Sequence, residues 1–107
     1  MSEWLQGDIH YAHFDDAIKN RPVVLISDSE VNYVRGKVIV ALITSTIRQT
    51  PFEISVGTAE GLSKEGVVSL SDIETIPKLR LSSRKGRLSP EKMDHLREGL
   101  KLLFAIP

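Results

Sequence analysis

The chain has 107 residues, 26% charged and 41% apolar, which is the balance of one folded domain over residues 1–107 with a single core, not of a disordered chain. It has no cysteine and no apolar run as long as a bilayer span, which excludes a disulfide framework, thiolate metal sites and a membrane helix. Fourteen basic and fourteen acidic side chains cancel, so net charge points to no class of partner. The amino end M-S-E-W-L-Q-G-D lacks the basic-then-apolar pattern of a signal peptide, and the expectation is a cytoplasmic protein without membrane contact.

In chain order, Gly7–Phe14 reads as a first strand, with Ile9 and Tyr11 on one side and Ala12 and Phe14 on the other. Asp15–Asn20 follows as a polar loop. Arg21-Pro22 opens a second strand, Val23–Ile26, with proline at a strand start where its missing N–H is tolerated. Ser27 or Asp28 is suited to cap a short helical turn through Tyr33, closed by Gly36. The next stretch, Gly36–Thr46, organises the rest. Its apolar run Val38–Ile43, rich in β-branched side chains, predicts a strand buried on both faces. The run ends in Thr44, Ser45 and Thr46, and a buried strand that hands over to hydroxyls can hold one of them rigidly.

Gln49-Thr50-Pro51 marks a break, and Phe52–Val56 alternates as a half-buried strand. Gly57–Gly66 is the most loop-like segment. Val67–Leu70 and Ile73–Ile76 read as two short strands, the second stopped by Pro77, and Leu79–Leu81 and Gly86–Leu88 as further small pieces. Ser89-Pro90-Glu91 starts a helix with an N-cap hydroxyl, a first-turn proline and an acid near the positive end of the dipole. Met93, Leu96, Leu100 and Leu103 then form one apolar face, which either packs inside the monomer or contributes to a dimer, and Gly99 marks a close contact with a sheet. Short strands and one terminal helix predict a mainly β fold, a small barrel or strongly curved antiparallel sheet.

Few residues stand out for chemistry. His10 and His13 point to opposite faces of a strand and cannot chelate one ion, and His95 is alone on the terminal helix. No Gly-rich phosphate loop, nucleophile elbow or metalloprotease motif is present. Six of the fourteen basic residues fall within Lys78–Lys92 against one acid, Glu91, which suits either a polyanion or a solvated loop. Arg21, between Asn20 and Pro22 at the mouth of a buried strand, carries a planar donor fork suited to phosphate. Taken alone, an exposed strand-edge arginine is the simpler reading.

Five segments, in order and covering nearly the whole chain, resemble the MazF/PemK family of toxin endoribonucleases: G-D-I-H-Y-A, R-P-V-V-L-I-S, V-I-V-A-L-I-T-S, V-V-S-L-S-D-I-E-T-I followed by K-L-R-L, and G-R-L-S-P-E-K-M before the last helix. The resemblance implies an SH3-like barrel of the CcdB/MazF/PemK type with a C-terminal amphipathic helix, assembled as a homodimer. It implies cleavage of single-stranded RNA through 2′-hydroxyl attack without a metal or other cofactor, and inhibition by a cognate antitoxin. The family's catalytic arginine and threonine match Arg21 and Thr44. RNA positioning would fall to the first loop with Lys19 and Asn20, to Phe14 by base stacking or else by strand packing alone, to Asn32, and to Ser45 and Arg48. An acidic antitoxin segment would take the Lys78–Lys92 region or the dimer groove. The chain departs from the family where a G-S-E-Q-type stretch before R-P is missing, and where S-D-I-E-T replaces D-Q-I-R-T, setting Asp72 and Glu74 at Gln and Arg positions. Two other readings are a CcdB-like gyrase-binding toxin, against which the ending Phe104-Ala105-Ile106-Pro107 counts, and a catalytically silent RNA- or antitoxin-binding barrel.

Overall fold

The computed structural model describes residues 4–14 and 20–107. Six antiparallel strands form one sheet in the order β4-β5-β3-β2-β1-β6. In chain order these are β1 (Asp8–Ala12), β2 (Arg21–Leu25), the short helix α1 (Ser29–Val34), β3 (Lys37–Thr44), β4 (Glu53–Val56), β5 (Gly66–Pro77) and β6 (Gly86–Arg87), closed by helix α2 (Pro90–Leu103). No helix among the described residues is long and apolar enough to cross a membrane.

Period-two alternation divides the sheet into two apolar clusters. Ile9, Val24, Ala41, Ile43, Val68 and Leu70 face one side, with Tyr11 packed against them; Ala12, Val23, Leu25, Val38, Val40 and Ile76 face the other, with Phe14 against them. The two-sided reading of β1 therefore holds. For β3 it holds only in the second half, because Ile39 alternates away from the Val38 and Val40 side and is 37% exposed.

The sheet curls at β5. Its pairing with β3 steps from Leu42↔Ser69 directly to Ala41↔Ile73, so Leu70, Ser71 and Asp72 are extra residues on the β5 side. Such a bulge bends a strand and increases its twist. The Ser69 hydroxyl donates to Asp72 Oδ2 at 2.7 Å across it, and the Leu70 N–H donates to the Phe52 carbonyl at 2.8 Å. The two strands expected here are thus one bent strand, its polar Ser71-Asp72 a bulge instead of a gap. The piece expected at Leu79–Leu81 is instead a 3-10 turn, Lys78–Arg80, because the Lys78 N–H closes onto the Gly36 carbonyl and the Leu81 N–H onto Lys78; a single bridge, Ala12↔Leu81, remains.

Helix α2 starts as expected, with Ser89 Oγ accepting from the Lys92 N–H at 3.2 Å. Leu96 is buried in the core, and Met93, Leu100 and Leu103 pack partly buried against it with Leu70, so this face is used inside the fold. Gly99 lets the helix sit close to the sheet, since a Cβ would lie 2.5 Å from Leu70 Cδ1 and push that side chain aside. Two buried carboxylates brace the sheet. Asp8 accepts from Arg87 Nε at 2.6 Å and the Leu5 N–H at 3.0 Å, and Glu60 from Lys92 Nζ at 2.8 Å and the Gly57 N–H at 2.7 Å.

Candidate active site

Strands β2 and β3 pair as Val23↔Leu42, Val24↔Ala41 and Leu25↔Val40. The ladder ends at Val23↔Leu42; extending its register by two residues would set Arg21 across from Thr44. Arg21 is also paired with Ala12 of β1, and Thr44 with Val67 of β5. On that extension, Ala12, Arg21, Thr44 and Val67 would fall in one row across four strands. Directly opposed residues share a face with Cα atoms about 4.5–5.5 Å apart, so two side chains remote in sequence become neighbours.

Local chemistry fixes each of them. Pro22 holds its own φ and pairs with Tyr11, stiffening the backbone just after Arg21. Arg21 is exposed, and among the described residues its guanidinium has no acidic partner. Thr44 is half-buried, and its Oγ1 accepts the Thr46 N–H at 3.1 Å. That bond orients the hydroxyl and leaves its O–H free to donate. The backbone behind Thr44 is held tightly too: a Cβ on Gly66 would lie 2.6 Å from the Thr44 carbonyl oxygen, so only glycine lets β5 come this close.

A cleft of about 260 Å³ reaches Thr44 but is not lined by Arg21. Its apolar wall is Tyr11, Pro22, Ile43 and Leu62, and its polar rim runs from Thr44 and Ser45 through Ser63, Lys64 and Glu65 to Gly66. An apolar wall, a flanking cation and the Thr44 hydroxyl suit a nucleotide phosphate with its base. Ser63 and Lys64 escaped the sequence reading, which saw only a loop. The one local signal was a lysine within the glycine-bounded stretch Gly61–Gly66, and nothing local brings that stretch to Thr44. Glu65 is partly engaged, its Oε2 accepting the Thr58 N–H at 2.9 Å.

Among the other expected contacts, Ser45 is on the cleft rim and Asn20 is exposed just before Arg21. Arg48 is exposed on the β3–β4 loop but does not line the cleft, and its N–H donates to the Glu53 carboxylate at 3.0 and 3.1 Å. Phe14 is half-buried against the Val23 side of the core, which favours packing over an open stacking platform. Lys19 lies outside the described residues.

Asn32 must be withdrawn as an RNA contact. It is fully buried, its Nδ2 donating to the Trp4 carbonyl at 2.8 Å and the Ser27 carbonyl at 3.0 Å, and its Oδ1 accepting from the Ser27 hydroxyl. Its amide braces α1 from inside, and Asp28 serves as the N-cap, accepting the Glu30 N–H at 2.9 Å. The Lys78–Lys92 cluster is also partly structural: Lys92 is on Glu60, Arg87 on Asp8, and Lys78 Nζ on the Asn32 and Tyr33 carbonyls at 2.7 and 3.3 Å. His10 is buried, its Nδ1 on the Ser82 carbonyl at 2.8 Å and its ring stacked on Trp4. No three His, Asp or Glu side chains among the described residues are grouped to hold a metal ion.

The similarity to known proteins extends across nearly the whole chain. A family profile described as a PemK-like, MazF-like toxin of type II toxin–antitoxin systems matches residues 5–104. Endoribonuclease MazF3 of Mycobacterium tuberculosis is 34% identical over 96 residues, covering 90% of each chain. Endoribonuclease EndoA of Bacillus subtilis is 28% identical over 109 residues, covering 94% of each. The solved structure of the Mycobacterium tuberculosis toxin MazF-mt6 superposes with a TM-score of 0.84 at 32% identity, covering 94% of this chain and 98% of that one. The six-stranded curled sheet with its C-terminal helix is the MazF-type fold, and the chain belongs to the PemK-like, MazF-like toxins of type II toxin–antitoxin systems.

Proposed function

We propose that this chain is an endoribonuclease toxin that cuts single-stranded RNA by attack of the 2′-hydroxyl on the adjacent phosphate. The O2′–P bond forms as the 2′-hydroxyl proton passes to water, the P–O5′ bond breaks as O5′ takes a proton from water, and the products carry a 2′,3′-cyclic phosphate and a 5′-hydroxyl. The observation that supports the reading is the β2–β3 register, whose extension would bring Arg21, without an acidic partner among the described residues, across from the oriented Thr44 hydroxyl at the rim of a cleft of about 260 Å³. Negative charge grows on the phosphoryl oxygens and on O5′ as the reaction proceeds. The Arg21 fork stabilises it there, and the Thr44 O–H donates to a phosphoryl oxygen and holds the phosphate in line. Arginine stays protonated in proteins, so its part is electrostatic. Tyr11 on the apolar wall offers a face for a neighbouring base, while Ser45 and Lys64 hold the backbone. No step is assigned to a metal or cofactor. In this reading the chain works as a homodimer, and a cognate antitoxin silences it by occupying the RNA path.

The test is incubation of a long single-stranded RNA in EDTA with wild type, Arg21→Ala and Thr44→Ala, each shown to be folded by circular dichroism. Discrete cuts by wild type, reduced on the order of 10²–10³-fold in each variant, are expected. A folded wild type that leaves the RNA intact, or variants that cut at the wild-type rate, would refute the reading.

A further inference from the structure

Two acids take neighbouring N–H groups at the short 3-10 turn Thr58–Glu60, and they end in different surroundings. Glu60 is buried, accepts the Gly57 N–H at 2.7 Å and is neutralised by Lys92 Nζ at 2.8 Å. Glu65 accepts the Thr58 N–H on Oε2 at 2.9 Å, and its carboxylate lies over Gly57, where a Cβ would overlap it. That seat fixes the group, yet Glu65 is exposed and forms no ion pair among the described residues. It lines the cleft that reaches Thr44, and among the described residues of that lining only Lys64 beside it is also charged. The next residue, Gly66, lies against the Thr44 carbonyl, so the carboxylate is one residue away from the backbone of Thr44.

A carboxylate that no cation neutralises repels phosphate, and it can only accept hydrogen bonds. In a cleft for a polyanion it is therefore favourable only against a base edge that offers donors. The Watson–Crick edge of guanine carries two adjacent donors, N1–H and the N2 amino group, which match the two oxygens of a carboxylate. Adenine and cytosine each set one amino group beside a ring acceptor, and uracil sets one N–H between two carbonyls. All three bring an acceptor against the second oxygen. We infer that Glu65 selects guanine in the nucleotide next to the phosphate at Thr44, with the base against the apolar wall at Tyr11 and Lys64 on the backbone. The inference rests on reading the cleft as an RNA site, but not on cleavage.

The probes are short fluorescein-labelled oligomers of 2′-deoxyuridine, either all uracil or with one central guanine, adenine, cytosine or hypoxanthine, and none carries a 2′-hydroxyl. Fluorescence anisotropy with the full chain should show the guanine probe binding about tenfold or more tighter than the adenine, cytosine and all-uracil probes. Hypoxanthine keeps N1–H but lacks the N2 amino group, and should lose most of that advantage. Glu65→Gln can still accept the Thr58 N–H through its amide oxygen, and then turns a donor to the base. It should lose the guanine preference yet bind the all-uracil probe at least as tightly as wild type, because a repelling charge is gone. If the variant weakens every probe, hypoxanthine against guanine on the wild type decides. Equal binding of the four bases, a preference for another base, hypoxanthine as good as guanine, a guanine preference that survives Glu65→Gln, or no binding of any probe overturns the inference. A wild type that selects guanine but leaves RNA intact overturns the nuclease reading alone. One that cuts RNA with no guanine enriched beside the cuts overturns this inference alone.

Discussion

Replacing Gly66 with alanine tests how tightly the sheet holds the Thr44 hydroxyl. The added methyl would start 2.6 Å from the Thr44 carbonyl oxygen, 3.2 Å from its carbon and 3.6 Å from Ser45 Cα, whereas ordinary contact begins near 3.4 Å. The atoms met are backbone, so about 0.8 Å of separation must come from moving β3 against β5, not from a side chain turning aside. Overpacking of this kind costs about 1–3 kcal/mol, partly offset by about 0.4–1 kcal/mol from the lower chain entropy of unfolded alanine. A net loss of about 1–2 kcal/mol predicts a melting point lower by roughly 5–15 °C for a domain of this size. Thr44 should move with its backbone, and an ångström of misplacement can cost about 10²-fold in rate. Thermal denaturation and single-turnover cleavage measure both effects on one preparation. A Gly66→Ala protein that melts and cuts like wild type would refute the claim that β5 positions Thr44.

Two further substitutions separate structural from functional roles. Asn32→Ala strands the Trp4 and Ser27 carbonyls and the Ser27 hydroxyl, and should cost about 2–4 kcal/mol in urea unfolding while the folded fraction still cuts RNA; stable protein with weakened RNA binding would restore Asn32 as a contact. Lys64→Ala should weaken RNA binding with no change in melting point and lower the slope of log affinity against log salt by about 0.7, the value for one backbone contact on a single strand. An unchanged slope would remove Lys64 from the RNA path.

How far the chain can be read residue by residue depends on the range of the interaction concerned. Side-chain alternation, proline and N-cap preferences act over a few neighbouring residues. The opposed faces of Ile9/Tyr11 and Ala12/Phe14, the cap at Ser89 and the inward stripe Met93–Leu103 are therefore visible in the amino-acid order, and so is the close approach at Gly99. The role given to Asn32 failed because a polar residue in a short helix looks the same whether it faces water or replaces a missing hydrogen-bond partner inside. β5 looked like two strands because a bulge and a break share the same polar residues, and only the ladder to β3 tells them apart.

Arg21 and Thr44 could be picked out singly, one by its rigid neighbours and the other as the hydroxyl ending a buried strand. Whether they face one another depends on how the β2–β3 register continues past Val23↔Leu42, and that Thr44, Lys64 and Gly66 line one cleft depends on β5 lying along the other side of β3. Amino-acid order determined the strands, the caps and the chemistry available at each position, since these follow from short-range backbone and solvation preferences. The tertiary structure alone decided which of those groups share a cleft, because cross-strand hydrogen bonding joins residues that no local pattern connects.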